Sequence, residues 1–298
     1  MSKDTITIDT QHGGMIHDAQ LDYYGKLLAT CSSDNIIRIY SIENGSSDLA
    51  CEITEHSGPV WRVAWSHPKF GSLLASCSYD GTVKIFSIDK DKSYSTVYVY
   101  SGHKASVNGV AWAPYEYGLC LAAVSSDGSM SIHYLANETE WKSQSVLVCR
   151  SGCSSVSWCP YRPTASEGVI ILRVAVGAGD SCVHVLKCLS SPVNPWEVES
   201  KLRGHSDRVR DVSWCPFIGF PVNMIASCGR DCQLCIWSQK NGDAWTTCHK
   251  QTYTDPVWRV SWSITGNLLA VSHGVDQVDL WKEMIDGSWR IVNREEKN

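Results

Sequence analysis

The sequence predicts an all-β chain folded as a β-propeller of six four-stranded blades, and three observations predict it. A hairpin signature recurs six times: two β-rich runs flank a turn at Asp34-Asn35, Asp80-Gly81, Asp127-Gly128, Asp180-Ser181, Asp231-Cys232 and, in altered form, near Val275-Asp276. The residue near the end of each second hairpin strand, in turn Tyr40, Phe86, His133, Leu186, Trp237 and Trp281, recurs at intervals of 46, 47, 53, 51 and 44 residues. Each hairpin also has a β-rich run before and after it. Repeats of this length with four short strands are propeller blades.

Taken in order, residues 5–10 read Thr-Ile-Thr-Ile-Asp-Thr, an alternating strand with no hairpin of its own. The inner strands follow, clearest at residues 59–65 and almost repeated at 256–262, with relatives at 107–112, 153–158, 209–214 and, more weakly, 16–21. Apolar residues stand on both faces of these strands, which suits a strand packed between two neighbouring blades. The hairpin supplies strands two and three. An aromatic residue marks strand four: Tyr94, Trp141, Trp245 and Trp289 each lie 8 residues after Phe86, His133, Trp237 and Trp281, and Trp196 lies 10 after Leu186. The first repeat has Asp48 at this place. Residues 161–168 and 217–222 are expected to be surface insertions, and residues 293–298 a disordered tail.

Because the repeat fills nearly all of the 298 residues, one domain, 1–298, is expected. A net charge of -5 without a basic run gives no support for nucleic-acid binding. The opening residues lack a signal-peptide core, so the chain is expected to be soluble, unsecreted and cytoplasmic or nuclear, with its 14 cysteines free. Cys31, Cys77 and Cys228 share one place in the repeat and Cys159 and Cys215 another, as buried small side chains would. Cys228, Cys232 and Cys235 lack a second Cys or His pair at zinc spacing, and neither a metal nor a cofactor is expected.

His, Ser and Asp together raise the question of a hydrolase triad. His56 precedes Asp80 by 24 residues, His103 precedes Asp127 by 24, and His205 precedes Asp231 by 26, with Ser or Thr expected between them in the first hairpin strand. A catalytic centre is needed once, whereas a polar network pinning the turn is needed in every blade, because an unsatisfied buried polar group costs roughly 1 to 3 kcal/mol. These six residues are therefore expected to be structural, with no catalytic residue and no enzymatic activity. Gly177-Ala-Gly179-Asp180 reads as a hairpin turn rather than a phosphate loop.

Gly102-His103, Gly204-His205, the turn aspartates and the aromatic closing residues resemble the WD-repeat family, although no Trp-Asp dipeptide is present. More narrowly, residues 15–25, 56–61, 111–114, 205–214 and 257–269 resemble the small WD-repeat subunits of the outer cage of the coat protein complex II (COPII) vesicle coat, a family shared with the Y-shaped scaffold complex of the nuclear pore. The likeness runs from about residue 5 to about residue 292, with blade four the divergent part. It implies an open propeller that receives a seventh blade from a partner. That partner is the large COPII cage subunit in ER-to-Golgi transport, or a helical scaffold nucleoporin at the pore. The implied place is cytoplasmic, peripheral on ER-derived coated vesicles and ER exit sites, and at the nuclear pore complex, with only indirect membrane contact.

The strand count favours something similar. Residues 287–292 fill the outer strand of the last blade, so Thr5, Ile6, Thr7 and Ile8 are surplus and available to a blade supplied in trans. Two open interblade faces of a few hundred Å² each, worth on the order of 10 kcal/mol apiece, exceed what a soluble monomer leaves wet. The candidates for those faces are Ile16, Ile37, Ile39, Val257, Val260, Val278 and Leu280; which of them point into the opening is not readable where both strand faces are apolar. The rival reading is a closed propeller binding peptide motifs on its top face.

Overall fold

A computed structural model describes residues 7–43, 45–137, 139–160, 170–216, 222–240 and 242–292. Thr5, Ile6, residues 293–298 and nearly all of both expected insertions lie outside the described residues.

The alternating runs form six antiparallel four-stranded sheets, each joined in sequence order. Blade one is β1 (Ile16–Leu21), β2 (Leu27–Ser32), β3 (Ile37–Glu43) and β4 (Ser46–Ile53). Blade two is β5 (Val60–Trp65), β6 (Leu73–Ser78), β7 (Val83–Ile88) and β8 (Tyr94–Tyr100). Blade three is β9 (Val107–Trp112), β10 (Cys120–Ser125), β11 (Ser129–Leu135) and β12 (Trp141–Leu147). Blade four is β13 (Cys153–Trp158), β14 (Ile171–Ala178), β15 (Cys182–Leu189) and β16 (Glu197–Arg203). Blade five is β17 (Val209–Trp214), β18 (Val222–Gly229), β19 (Gln233–Lys240) and β20 (Thr246–Thr252). Blade six is β21 (Val257–Trp262), β22 (Leu268–His273), β23 (Gln277–Glu283) and β24 (Trp289–Ile291). Blade one thus has its fourth strand without the aromatic marker. Among the described residues no helix is long and apolar enough to cross a membrane.

The hairpin turns are three-residue loops. Gly81 N–H donates to Ser78 O across Tyr79-Asp80, and Gly81 then takes φ +81°. That left-handed position, easy for glycine, is filled by Asn35, Ser181 and Cys232 in blades one, four and five. In blade six it is filled by Asp276, so the aspartate stands one place late and Val275 occupies the site of Asp80.

The chain divides into two compact units, residues 1–127 with 131–143 and residues 128–130 with 144–298. The first carries blades one and two and most of blade three; the second carries blades four to six. Within each unit, neighbouring sheets pack the forward face of the earlier blade onto the backward face of the next in chain order. In the first unit Ile37 and Ile39 of blade one pack with Val60, Val63 and Phe86 of blade two. Val83 and Ile85 of blade two pack with Val107, Val110 and Leu121 of blade three. The second unit repeats the pattern, with Val183 and Val185 against Val209, Val212 and Trp237, and Leu234 and Ile236 against Val257, Val260 and Trp281. Indole N–H groups cross the same seams: Trp65 donates to Gln20 O (3.0 Å), Trp112 to Ala64 O (2.9 Å) and Trp262 to Ser213 O (3.0 Å).

Candidate partner-binding faces

Strand alternation decides which candidates can meet a partner. In blades one, two, four and five the third strand sends its first and third apolar residues forward, and in blades two, three, five and six the inner strand sends its apolar pair backward. Ile37 and Ile39 are therefore in the core between blades one and two, fully buried, and do not face an opening. Val257 and Val260 are likewise in the core between blades five and six. These four expectations are corrected: the residues are interblade cores, and their apolar character serves the chain's own packing.

The other three stand on exposed faces. Ile16 occupies the place of Val60, Val107 and Val209, which are fully buried, yet Ile16 is 43% exposed on the backward face of blade one. Leu21, at the place of Trp65, is exposed beside it. Val278 occupies the place of Ile37, Val83, Val183 and Leu234 on the forward face of blade six, and is 56% exposed where those four are at 0%. Leu280, two residues on, is half-buried. Trp258, on the inner strand of blade six, is exposed as well and was missed in the sequence, although it sits in the same Val-Trp-Arg-Val motif as Trp61. Its ring is 42% exposed, lies over the Arg210 guanidinium carbon at 4.3 Å, and turns its indole N–H to Gly274 O in its own blade.

Residues 7–10 are in no strand ladder. The segment is held at its end, where Thr10 O accepts from Tyr40 Oη (2.6 Å) and Arg38 Nη1 (3.0 Å) on β3. Thr7 is exposed and Ile8 half-buried.

The expected polar networks are formed, and there is one more of them. His56 bridges Asp80 (2.9 Å) and Ser76 (2.7 Å), and His205 bridges Asp231 (3.1 Å) and Ser227 (2.8 Å). His103 bridges Asp127 (3.1 Å) and Ser131 (2.8 Å); Ala123 stands in the first hairpin strand, so the hydroxyl comes from the second. The fourth network is His12 with Asp34 and Thr30, both at 2.9 Å. It lacks the preceding glycine that marks His103 and His205; the signal that finds it is position, four residues ahead of the inner strand, as for His56, His103 and His205. In each network the amide after the histidine also donates to the carboxylate, from Gly13, Ser57, Lys104 and Ser206.

Burial pushes the Asp80 carboxyl up, but hydrogen bonds from His56 and Thr82 outweigh it and hold the group far below the usual carboxylate range. Asp231 is lowered in the same way, burial opposed by bonds from His205 and Ser206. Burial lowers His103 despite Asp127, and lowers His133, at the closing place of blade three, to about 3 with help from the charge of His103. The glycines before the histidines have a packing reason: a Cβ on Gly204 would meet the Trp237 ring at 2.6 Å, and one on Gly102 would strike the Tyr100 ring. Each network ties an outer loop to a hairpin turn; their arrangement is repeated, buried and mutually satisfied, which is that of a staple.

The model of the WD domain, G-beta repeat family matches residues 3–41, 48–87, 94–133 and 196–238. Over nearly its whole length the chain is similar to the protein SEC13 homolog of Drosophila melanogaster, 43% identical over 97% of this chain and 83% of the relative. The chain belongs to the SEC13 family of WD-repeat proteins. The SEC13 homolog of Homo sapiens is 43% identical over 96% of this chain and 92% of its own. A protein of Mycosarcoma maydis named protein transport protein SEC13 is 37% identical over 96% and 93%. The SEC13 relatives span blades four and six, which the repeat model leaves unmatched: blade four has no loop histidine and blade six no turn aspartate at the usual place.

Proposed function

We propose that this chain is a structural subunit of the COPII outer coat, acting in ER-to-Golgi protein transport, and that a β-blade inserted from the large cage subunit binds the exposed forward face of blade six. The observation that carries this reading is Val278, exposed at a place where blades one, two, four and five bury their residue under the next blade. Leu280 extends that face, Trp258 is exposed on the inner strand of the same blade, and Ile16 and Leu21 are exposed apolar residues on blade one. Residues 7–10, free of any ladder, supply an outer strand for the incoming blade. The Mycosarcoma maydis relative, named protein transport protein SEC13, supports the transport role. On this reading the chain stiffens its partner and touches the membrane only through it, at ER-derived vesicles and exit sites; a helical scaffold nucleoporin takes the same faces at the nuclear pore.

The test is co-expression with the large cage subunit and mass photometry of the purified product. The wild-type pair should persist as a stoichiometric complex, while Val278→Asp and Ile16→Asp, which would bury an unpaired charge against the partner, should release it. Intact complexes with charges at Ile16, Trp258, Val278 and Leu280 in turn would overturn the inserted-blade reading.

A further inference from the structure

Blade four handles its network differently from every blade that has one. Its loop position four residues before the inner strand, elsewhere His12, His56, His103 or His205, is Cys149. Its hydroxyl position, elsewhere Thr30, Ser76 or Ser227, is Val176, and its aromatic closing position is Leu186. The turn aspartate remains as Asp180, and the imidazole comes from the second hairpin strand instead, as His184 at the place of Ser131. His184 is fully buried and Cys149 nearly so.

The substitutions are coordinated, and they leave hydrogen bonding incomplete. His184 Nε2 lies 3.0 Å from both carboxylate oxygens of Asp180, and the Cys149 thiol bonds to the same carboxylate. The other ring nitrogen, Nδ1, is buried with no hydrogen-bond partner, whereas the four loop histidines each place their second nitrogen on a hydroxyl. A sulfur, an imidazole nitrogen and a carboxylate oxygen converge within 4.8 Å of one another. The loop bearing the sulfur is tied down by Cys149 N–H to Gly128 O and by Gly179 N–H to Gly152 O.

We infer that Cys149, Asp180 and His184 form a binding site for a thiophilic divalent cation of the zinc class. Thiolate, imidazole and carboxylate are the donors such an ion takes, and three protein ligands leave the fourth tetrahedral position for water or a further group. Ligand bonds of about 2.0 to 2.3 Å draw the donor atoms closer than they stand, so the Cys149 loop closes by about 1 Å on the ion. Binding displaces the thiol proton of Cys149 to solvent; the imidazole, which donates Nε2–H to Asp180 in the free protein, moves that proton to Nδ1 by tautomer exchange and binds through Nε2. The Lys201 ammonium, 3.9 Å from Asp180 and half exposed, swings to solvent as the ion takes its place. Cys182 stands beside the set, close enough to Asp180 and Cys149 for their charges to act on it. The cation would clamp loop to turn in the one blade where Cys149 replaces the loop histidine.

The full chain, purified with its partner and dialysed against chelator, is titrated with zinc and, separately, with cobalt(II), with metal content read by native mass spectrometry. One zinc per chain is expected, together with a thiolate-to-cobalt charge-transfer band. Cys149→Ser and His184→Gln should each weaken binding by more than about a hundredfold, since even outer-shell partners are worth ten- to a hundredfold, and Cys248→Ser, an exposed cysteine, should change nothing. Should either variant fail to fold, the wild-type chain decides alone: zinc should protect Cys149 from iodoacetamide, read by peptide mass spectrometry. Absence of stoichiometric zinc, equal zinc in Cys149→Ser, or alkylation of Cys149 at the same rate with and without zinc would overturn the site.

Discussion

Blades two and six contain almost the same inner strand, Val60-Trp-Arg-Val-Ala-Trp and Val257-Trp-Arg-Val-Ser-Trp, yet the strands end in different surroundings. Backward, they are alike: Val60 and Val63 pack on blade one as Val257 and Val260 pack on blade five, and Trp65 and Trp262 each donate to a carbonyl of the preceding inner strand. Forward, they part. Trp61 is sandwiched between the ring of His17, 4.5 Å away, and blade three, whose Ser106 hydroxyl accepts its indole N–H at 2.8 Å. Trp258 has no Ser106 equivalent and folds back on its own turn. Identical residues therefore take different surroundings in the two blades, and the difference is the acceptor: a hydroxyl of the next blade for Trp61, a carbonyl of its own blade for Trp258.

The sharpest way to break this comparison is to put a charge at the same place in both blades. Val83→Asp should cost several kcal/mol, a large share of the stability of such a chain, because the carboxylate is buried between blades two and three. Val278→Asp should stay within about 0.5 kcal/mol in the isolated protein. Urea unfolding of the two variants measures both; equal losses would mean that Val278 is as covered as Val83.

A second pair compares the forward and backward sides of blade one. Ile37→Ala opens a cavity between blades one and two and should cost about 2 to 5 kcal/mol, whereas Ile16→Ala should cost about 0.5 kcal/mol or less. Equal losses in the same denaturation series would mean that Ile16 is as covered as Ile37.

The closing position allows a finer comparison, since His133 stands where blade two has Phe86. Its folded pKa, about 3, lies below the ordinary 6.5. Below pH 6.5 the unfolded chain takes up a proton that the folded chain refuses until about 3, so stability falls with falling pH across that window. His133→Phe should remove up to about 1.4 kcal/mol per pH unit of that slope. His103, also lowered by burial, keeps the remaining dependence from vanishing. Thermal melts at several pH values between 4 and 7 report it.

The smallest effect concerns the N-terminal segment. Removing residues 1–10 takes the acceptor from Tyr40 and Arg38 and should cost the isolated protein about 1 kcal/mol, with all six blades still folded. Hydrogen exchange at Thr7 and Ile8 should be fast in the free chain and slow in the complex. Global unfolding on deletion would contradict the peripheral placement of this segment.

Much of this architecture was legible because its causes are local. Asp80-Gly81 and its relatives declare their turns, since a left-handed residue must follow the aspartate; intervals of 44 to 53 residues leave room for four strands each; and the spacing of His56, His103 and His205 from their aspartates exposed a repeated staple. His12 escaped because it precedes Asp34 by only 22 residues, short of the 24 to 26 of the other three, and Cys149 because its partner is an imidazole from a different strand, a pairing that no linear spacing announces.

What the sequence determined by itself is what a strand or turn decides alone: the number of blades, the order of strands, the hairpin positions and the polar residues that pin them. Only the tertiary structure decided which side of each strand meets which neighbour. Where both faces are apolar, alternation names two sets of residues and cannot rank them. Ile37 and Val278 hold equivalent places in the repeat, and only the blade packed against β3 makes one of them core and leaves the other exposed.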